Sequence, residues 1–487
     1  MTTLGAAITR SSCLLVFLMS LVSPSPGFAA TEQPRSSMPL TAPPGRLAEP
    51  VVAIDPRDPA RIAVAADPYL EPTRIRVTLS SDGGRTWSRP RTVRPPGFAR
   101  SFDPGLAFAA DGSLLISGGA ARRGPPGCLP GSVIFLARQA GDRLSYSRVA
   151  GPERDLFLDR PAMAYDGATG LTALSWTRSR GPKAHCLAEP TASRTVVAWQ
   201  RGNGSFEQQR LPSRAPAVFG SSLAITTRGR IIAAVAGWRA GRRQDVIVYE
   251  IDPGGRTAAT VIKAGRRPPL LPRRDMPLNL FVPTLTIRRD GVRTIGWTEA
   301  TNGGQRVRIA SSRDGRNWTA RPGPPADGLP MAPTAAYGRT GDLLVVQGVF
   351  ARGRVEFSLW RLAGQDWSPI RELGSAPTRG WKELGQSLGI TARQGVWAVA
   401  VPTGDKRRSR LSVWVNGTTP SSSSPSSAAA PAAADRTGRD DGNEALPSLT
   451  DEWKALAAAV STAVLGAFAF WRFRRAHRRA RRNARPH

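Results

Sequence analysis

The chain has 487 residues and a formal net charge of +32, from 68 lysine and arginine residues against 36 aspartate and glutamate residues. This length accommodates one large domain or two of ordinary size, so internal repeats decide the architecture. The positive charge would suit nucleic acid, but no recognised nucleic-acid-binding motif accompanies it, and we expect no nucleic-acid partner. An anionic polymer of the cell envelope is the better electrostatic match.

The first 30 residues have the features of a signal peptide. Arg10 ends a short charged region, Leu14 to Val22 form an apolar run, and small residues at Gly27 and Ala29 suit cleavage. The apolar run is too short to span a bilayer of about 30 Å. We therefore predict export, with a mature chain that begins near residue 31.

The body of the chain, residues 31–416, repeats a strand, a turn rich in Gly, Asp or Arg, and a second strand. Seven such hairpins are predicted, at residues 51–65, 106–117, 162–176, 222–236, 284–298, 334–348 and 388–401. With a third and a fourth strand in each repeat of roughly 50 to 60 residues, the pattern is typical of β-propeller blades. We predict an all-β, seven-bladed β-propeller, with six blades as the alternative. The seventh repeat ends after Val415 without a fourth strand, so Ser37–Ala42 is predicted to close the ring as an outer strand.

A turn signature recurs between the third and fourth strands. Its best copy is Ser80–Trp87, and its closest echo is Ser311–Trp318. An Asp or Ser side chain accepts backbone N–H groups of the turn, Gly supplies a positive φ, and the Trp packs back between sheets. We assign a structural role to the residues that make this turn: Ser80, Asp82, Gly84, Thr86, Trp87, Asp314, Gly315 and Trp318.

The signature resembles the Asp box of sialidases and of bacterial neuraminidase repeat proteins, and Leu158–Asp166 is similar to a blade-opening strand of secreted members. The resemblance spans about Glu49 to Val415. It implies a propeller whose Asp-box turns lie opposite the face that carries the chemistry. Sialidases also have an Arg-Ile-Pro motif and six blades, and this chain lacks the motif. The resemblance therefore implies a non-catalytic or divergent member.

The face opposite the Asp boxes is where ligand-binding residues are expected. If the protein is an enzyme, the resemblance points to a sialidase-like exo-glycosidase, and carboxyl groups of different pKa would act as acid and base. The carboxylates predicted for these roles are Asp67, Asp103, Asp159 and Glu299. The predicted ligand-binding residues, aromatic rings for stacking on sugars and one arginine, are Tyr69, Arg160, Trp176 and Trp238. As alternatives, Asp103 and Asp159 cap the start of a strand beside a proline, and the tryptophans pack between blades.

Neither a metal nor a cofactor is expected. His185, His477 and His487 are far apart in sequence, which argues against a histidine metal site. Once a signal peptide is removed, Cys128 and Cys186 are the remaining cysteines. Because they fall in loops of adjacent repeats of an exported chain, we predict a disulfide, with two free thiols as the alternative.

The C-terminal part reads as a membrane anchor. Residues 417–452 are rich in Ser, Pro and Ala and predict an unfolded stalk, residues 453–471 a transmembrane helix, and residues 472–487, with eight arginines, a cytoplasmic tail. A buried core helix is the alternative for residues 453–471. We therefore expect a single-pass protein of the cell membrane with the propeller outside the cytoplasm. The predicted function is binding of a glycan, an envelope polymer or a protein partner, and the alternative is the exo-glycosidase.

Overall fold

The computed structural model describes residues 35–42, 48–67, 74–124, 130–153, 156–180, 192–239, 243–266, 282–302, 304–331, 333–377, 388–404 and 408–416. Within these ranges all regular elements are β-strands, 29 in number. The same ranges contain no helix of the length and apolarity needed to cross a membrane. The predicted signal peptide, stalk, transmembrane helix and tail lie outside the described residues, as do Cys128 and Cys186.

The described strands fall into seven antiparallel groups, taken here in chain order. Strand β1 is Arg35–Ala42, and group 1 contains β2 (Ala48–Ile54), β3 (Ile62–Asp67), β4 (Ile75–Ser80) and β5 (Arg91–Val93). Group 2 contains β6 (Arg100–Phe108), β7 (Leu114–Ala121), β8 (Val133–Ala140) and β9 (Arg143–Ala150). Group 3 contains β10 (Phe157–Asp166), β11 (Leu171–Arg180), β12 (Ala192–Arg201) and β13 (Glu207–Arg210).

The remaining groups repeat the same order. Group 4 contains β14 (Ala217–Ile225), β15 (Ile231–Trp238), β16 (Arg243–Ile251) and β17 (Thr257–Arg266). Group 5 contains β18 (Thr284–Ile287), β19 (Arg293–Thr301), β20 (Gly304–Ser312) and β21 (Thr319–Pro322), and a single residue pair joins it to group 4. Group 6 contains β22 (Leu329–Pro330), β23 (Thr334–Tyr337), β24 (Leu343–Ala351), β25 (Arg354–Ala363) and β26 (Asp366–Pro377). Group 7 contains β27 (Gly389–Arg393), β28 (Val396–Gly404) and β29 (Ser409–Asn416).

The first strands of the groups contact one another in a closed cycle. In order, β2 touches β6, then β10, β14, β18, β23 and β27 follow, and β27 touches β2 again. Sheets that meet in a cycle through their first strands are arranged radially, as in a β-propeller. The predicted all-β class and propeller-type fold are confirmed, and each predicted hairpin is a pair of antiparallel strands.

The packing explains the sequence of the second strands. The strands β3, β7 and β15 are buried along their whole length, because both faces of each sheet pack against a neighbouring sheet. They therefore read as continuous small and apolar runs and not as an alternation. A core of this kind lies between groups 3 and 4, where Leu171, Val197, Ile231 and Tyr249 pack together. The outermost strands β9 and β13 are largely exposed and carry the polar residues.

The N-terminal strand completes group 7. Strand β1 pairs antiparallel with β29, from Arg35 opposite Val415 to Ala42 opposite Ser409, and occupies the outer edge of the sheet. The register shifts between Ser37 and Leu40, where Pro39 has no N–H to donate. The predicted closing strand is therefore confirmed.

The turn signature forms a network around one carboxylate. Asp82 Oδ1 accepts the N–H groups of Arg85 and Thr86 at 2.9 Å, and Asp82 Oδ2 accepts the Thr86 hydroxyl at 2.6 Å. Ser80 Oγ accepts the Gly84 N–H at 2.8 Å. Burial alone would raise the pKa of Asp82, but the hydrogen bonds from Thr86, Ser80 and Arg85 lower it to about 2. These contacts explain why the turn needs an aspartate at position 82.

The second copy of the turn repeats the geometry. Asp314 Oδ1 accepts the N–H groups of Asn317 and Arg316 at 2.8 Å, and the Gly315 N–H donates to Ser312 Oγ at 2.9 Å. The Asn317 N–H lowers the pKa of Asp314 most, and the N–H of Arg316 adds to it. The two turns, 232 positions apart in the sequence, thus share one hydrogen-bond arrangement. This arrangement stabilises the turn, which agrees with the structural role assigned to these residues.

Asp82→Ala is expected to lower the free energy of unfolding by about 1–2 kcal/mol, because several backbone N–H groups of the turn lose their acceptor. Denaturant unfolding at neutral pH measures this change. The matched control is Asp142→Ala, since the Asp142 side chain is fully exposed and its described contact is an ion pair with Arg91 at 3.4 Å. Equal effects of the two substitutions would contradict the role of Asp82 in the turn.

Candidate functional site

Consecutive first strands carry a bulge at the same place. The register shifts at Glu49–Pro50 in β2, at Asp103–Pro104 in β6 and at Arg160–Pro161 in β10. Glu49, Asp103 and Arg160 have φ values of 50°, 51° and 52°, and Gly220 in β14 follows with 63°. A non-glycine residue in this region costs on the order of 1–3 kcal/mol, and such residues cluster at functional sites. The repeated strain therefore marks this place as a candidate site.

The bulges lie at the end of the sheets opposite the Asp82 turn, since they come where each first strand begins. This is the face predicted to carry the ligand-binding residues. A proline fits a bulge because the ladder there needs no N–H from it. The bulge then turns the preceding side chain toward the neighbouring group.

Hydrogen bonds connect the bulges across the groups. The Asp103 N–H donates to Asp67 Oδ2 at 3.3 Å, and the Arg160 N–H donates to Asp103 Oδ2 at 3.0 Å. The guanidinium of Arg160 reaches back across group 2 and donates to Glu49 Oε1 at 3.3 Å. We call Glu49, Asp67, Asp103, Asp159 and Arg160 the bulge cluster. It ties together groups 1, 2 and 3.

The bulge cluster is largely withdrawn from water. Glu49, Asp67 and Asp159 are 5%, 4% and 8% exposed, and Asp103 and Arg160 are partly buried. Carboxylate oxygens of Glu49, Asp67 and Asp103 all lie within 4.8 Å of one another. Negative charges this close and this buried repel each other strongly unless protons or a cation neutralise them.

Protons supply part of that neutralisation. Burial raises the pKa of Asp103 well above its usual range, the charge of Glu49 and a hydrogen bond with it raise it further, and Arg160 opposes the change. Burial also raises the pKa of Asp159 to about 7, with a contribution from Asp103 and opposition from Arg160. Near neutral pH the cluster therefore holds protons on carboxyl groups that would be ionised in water.

The three close carboxylates also have the chemistry of a cation site. Glu49, Asp67 and Asp103 each offer an oxygen, the ligand type that calcium and magnesium prefer. Sequence reasoning looked for histidines and expected no metal, so it did not consider this group. Three oxygens are fewer than the six to eight that calcium takes, and a proton on Asp103 relieves the same repulsion.

The structure brings together four of the predicted residues, Asp67, Asp103, Asp159 and Arg160. It does not join Glu299 to them through any contact among the described residues. Glu299 lies on β19 of group 5, and it accepts from Arg306 Nε at 2.6 Å and lies 3.8 Å from Arg308 Nε. Glu299 therefore pairs with arginines of its own sheet and not with the carboxylates that were predicted to act with it.

The two tryptophans predicted to stack on a ligand are buried. Trp176 is 1% exposed in the core between groups 2 and 3, and Trp238 is 7% exposed against Ala217 and Ala236. Neither ring offers an exposed face for stacking on a sugar, because both fill space between or beside sheets. The packing alternative is the correct one for these residues. Tyr69 lies outside the described residues.

Sequence reasoning left Glu49 out of the catalytic set. A signal for it was present, since Glu49, Asp103 and Arg160 each precede a proline at the start of a repeat. Because this X-Pro dipeptide recurs at the start of successive repeats, it would have placed all three residues at the same end of neighbouring sheets.

Comparison with known proteins gives no family. No protein-family model matches the chain, and no curated protein matches it. Among solved structures, the endosialidase of phage phi92 matches with a TM-score of 0.48 and 10% identity over 86% of this chain and 76% of that one. An α-L-arabinanase of Penicillium chrysogenum, complexed with arabinobiose, matches with 0.46 and 13% over 78% and 98%. A protein of unknown function from Dyadobacter fermentans matches with 0.46 and 13% over 78% and 97%.

Similarities at this level of identity and TM-score define neither a family nor a function. The strand pairing and the closed cycle of first strands define the fold.

Proposed function

We propose that the protein is a membrane-anchored, extracytoplasmic, seven-bladed β-propeller that binds a glycan or another envelope polymer through the face of the bulge cluster. The proposal also includes a protein as the ligand of this face. The seven strand groups are the proposed blades, and β1 with β29 is the proposed closure. The observation that carries the proposal is the bulge cluster, with its strained backbone at Glu49, Asp103 and Arg160.

The last described strand runs away from the bulge cluster. Strand β29 ends at Asn416, and Val415 packs with Trp87, the last residue of the turn signature. The last described residue therefore lies at the end of its sheet opposite the bulge cluster.

We also propose that the two signature turns are Asp boxes like those of sialidases, and that Cys128 and Cys186 form a disulfide. The binding proposal depends on neither. The Asp-box assignment is supported by the shared turn geometry around Asp82 and Asp314.

A glycosidase is the second candidate, and the raised pKa of Asp159, at about 7, favours it. A carboxyl group that keeps its proton near neutral pH is suited to act as a general acid. Against this, glycosidases hold their two carboxyl groups about 5–9.5 Å apart on either side of the scissile bond. The Glu49, Asp67 and Asp103 oxygens lie within 4.8 Å of one another, which is closer than this range. Binding without turnover therefore ranks first.

The proposal is tested by binding of the purified full-length chain to an array of defined neutral and acidic oligosaccharides. Asp103→Ala is expected to weaken retention by about tenfold, because the Arg160 N–H loses its acceptor and the bulge cluster loses the side chain at its centre. The matched control is Asp142→Ala, at an exposed residue in a turn at the opposite end of the sheets. Unchanged retention by Asp103→Ala would contradict the assigned site.

A panel of fluorogenic glycosides separates the two candidates. Turnover that is lost in Asp159→Asn and kept in Asp142→Asn would establish the glycosidase and overturn the binding proposal. No turnover, with binding intact, is the expected result.

A further inference from the structure

The turns on the face opposite the bulge cluster differ in charge from one side of the ring to the other. These turns follow the first and the third strand of each group. In groups 1–3 they contain four arginines and five aspartates, at residues 55–61, 81–90, 109–113, 141–142, 167–170 and 202–206. In groups 4–6 they contain eight arginines and four aspartates, at residues 226–230, 252–256, 288–292, 313–318, 338–342 and 364–365. We call this second set of turns the arginine arc.

Contacts between neighbouring groups join the arginine arc into one surface. Glu250 on β16 accepts from Arg230 of its own group at 2.7 Å and from Arg293 of group 5 at 2.9 Å. The guanidinium of Arg288 in group 5 lies over the ring of Tyr337 in group 6, 5.7 Å from its centroid. Groups 4, 5 and 6 therefore present their turns side by side.

Most arginines of the arc carry a charge that no carboxylate balances. Arg230 and Arg288 form ion pairs, with Glu250 and Asp290. The other six are exposed and form no ion pair with another described residue: Arg228, Arg256, Arg289, Arg313, Arg316 and Arg339. Exposed guanidinium groups of this kind concentrate positive potential at one surface.

The distribution of these six arginines indicates the kind of partner. They stand on five turns of three groups, so their side chains are spread over a surface and come from different elements. One small anion is bound best by donors that converge on it. Clusters of about four to eight basic residues beside a bilayer are instead typical of attraction to anionic lipids.

The described chain ends on the same face. Asn416 at the end of β29 pairs with Trp397, which lies just after the turn of group 7 at residues 394–395. Residues 417–487, which contain the predicted membrane anchor, therefore start from the face that carries the arc. A tether to the membrane would give this face a high effective concentration there, so that weak individual attractions suffice.

We propose that the arginine arc docks on an anionic phospholipid surface. Its guanidinium groups pair with lipid phosphates, which they match in charge and in hydrogen-bond geometry. This inference rests on the membrane anchor of the proposed function and not on its ligand. Docked in this way, the propeller leaves the opposite face, with the bulge cluster, open to a ligand.

Phenylglyoxal labelling of the full-length chain in lipid nanodiscs, read for each arginine by mass spectrometry, tests the inference. One set of discs is phosphatidylcholine alone, and the other is an equimolar mixture with phosphatidylglycerol. We expect labelling of Arg256, Arg289 and Arg339 to be about threefold lower in the mixed discs at about 0.1 M NaCl. It should recover at about 1 M NaCl, because the Debye length shortens from about 10 Å to about 3 Å.

Arg352 is the internal control for this labelling. It is exposed in the turn between β24 and β25, at the bulge-cluster end of group 6, and should label equally in both kinds of disc. Equal labelling of the arc in both kinds of disc, or a decrease that Arg352 shares, overturns the inference.

Two variants of equal net charge locate the effect. The arc variant combines four substitutions at exposed arginines of the arc: Arg228→Gln, Arg256→Gln, Arg289→Gln and Arg339→Gln. The control variant combines four at exposed arginines of the bulge-cluster end of the sheets: Arg210→Gln, Arg243→Gln, Arg266→Gln and Arg352→Gln. Protection of Arg313 and Arg316 by the mixed discs should be lost in the arc variant and kept in the control variant. Equal protection in the two variants overturns the arc in favour of a general effect of net charge.

Sodium polyphosphate separates a lipid surface from an anionic polymer. If polyphosphate protects the arc arginines and the mixed discs do not, the lipid surface is overturned in favour of a polymer.

The same discs separate this inference from the proposed function. A chain that phosphatidylcholine discs do not retain lacks the proposed anchor, whereas salt-sensitive protection of the arc by the mixed discs still supports docking. Absence of binding to the oligosaccharide array, with the arc protected, removes the proposed glycan ligand alone.

Discussion

Arg160→Gln is expected to lower the free energy of unfolding by about 3–5 kcal/mol at pH 8, the range found when one partner of a buried ion pair is removed. Arg160 is 15% exposed at its side chain and Glu49 is 7% exposed, with Nη1 to Oε1 at 3.3 Å. Arg160 also lowers the pKa of Asp103 and of Asp159. Without its charge, the remaining carboxylates face one another in a poorly solvated site.

The cost of Arg160→Gln should depend on pH. At pH 5 the carboxyl group of Asp159, whose pKa is raised to about 7, carries a proton, so fewer negative charges remain to be neutralised and the destabilisation should be smaller than at pH 8. Urea unfolding at both pH values measures the difference. A purely steric role for the arginine side chain would give the same loss at both.

Arg230→Gln is the matched control for this change. Its guanidinium also pairs with a glutamate, Glu250, at 2.7 Å, but its side chain is 49% exposed. Exposed ion pairs contribute little, because water and salt screen them. We expect no measurable change for this variant, and a loss as large as that of Arg160→Gln would mean that burial does not set the effect.

Local features of this fold were predictable from the sequence. The hairpins follow from short apolar runs separated by Gly, Asp and Arg turns, and the Asp82 turn follows from side chains that bond to their own backbone. The closing strand was predictable because the last repeat has three strands where the others have four, so its outer strand must come from elsewhere in the chain. Such features depend on residues within about ten positions of each other, or on a pairing that the repeat itself demands.

The bulge cluster was only half predictable. Glu49 and Arg160 are 111 positions apart and meet because three first strands are neighbours in the ring. Side-chain burial was the other gap. Trp176 lies in the middle of one second strand and Trp238 ends another, and the sequence there does not distinguish a ring packed between sheets from one exposed at the face. Likewise Glu299 was grouped by its level in the sheet, while Arg306 and Arg308 on the next strand determine its pairing.

At pH 8, Asp159→Asn is expected to raise the free energy of unfolding above that of the parent chain by at most about 4 kcal/mol. At pH 4 the two proteins should be nearly equal in stability. Burial raises the pKa of Asp159 from 3.8 to about 7 in the folded protein, and each pKa unit corresponds to about 1.4 kcal/mol. Between these two values the folded state keeps a proton that the unfolded state has released. Stability therefore falls as pH rises from about 4 to about 7.

An asparagine stays neutral throughout, so the variant should lose this part of the pH dependence. Urea unfolding of both proteins between pH 4 and pH 8.5, at constant ionic strength, gives the difference at each pH. Asp142→Asn, at a fully exposed carboxylate, should follow the parent curve. A difference between Asp159→Asn and the parent that does not change with pH would show that Asp159 is already ionised across this range.

The same titration bears on binding. A ligand that donates hydrogen bonds to Asp159 binds its ionised form better than its protonated form, so it should bind more tightly as Asp159 ionises around pH 7. For a ligand with hydroxyl donors, the affinity should rise between pH 6 and pH 8 in the parent chain. In Asp159→Asn it should rise less, because the ionising acceptor at position 159 is gone. A falling affinity over this range would instead indicate that the protonated carboxyl groups act as donors to the ligand, as a general acid would.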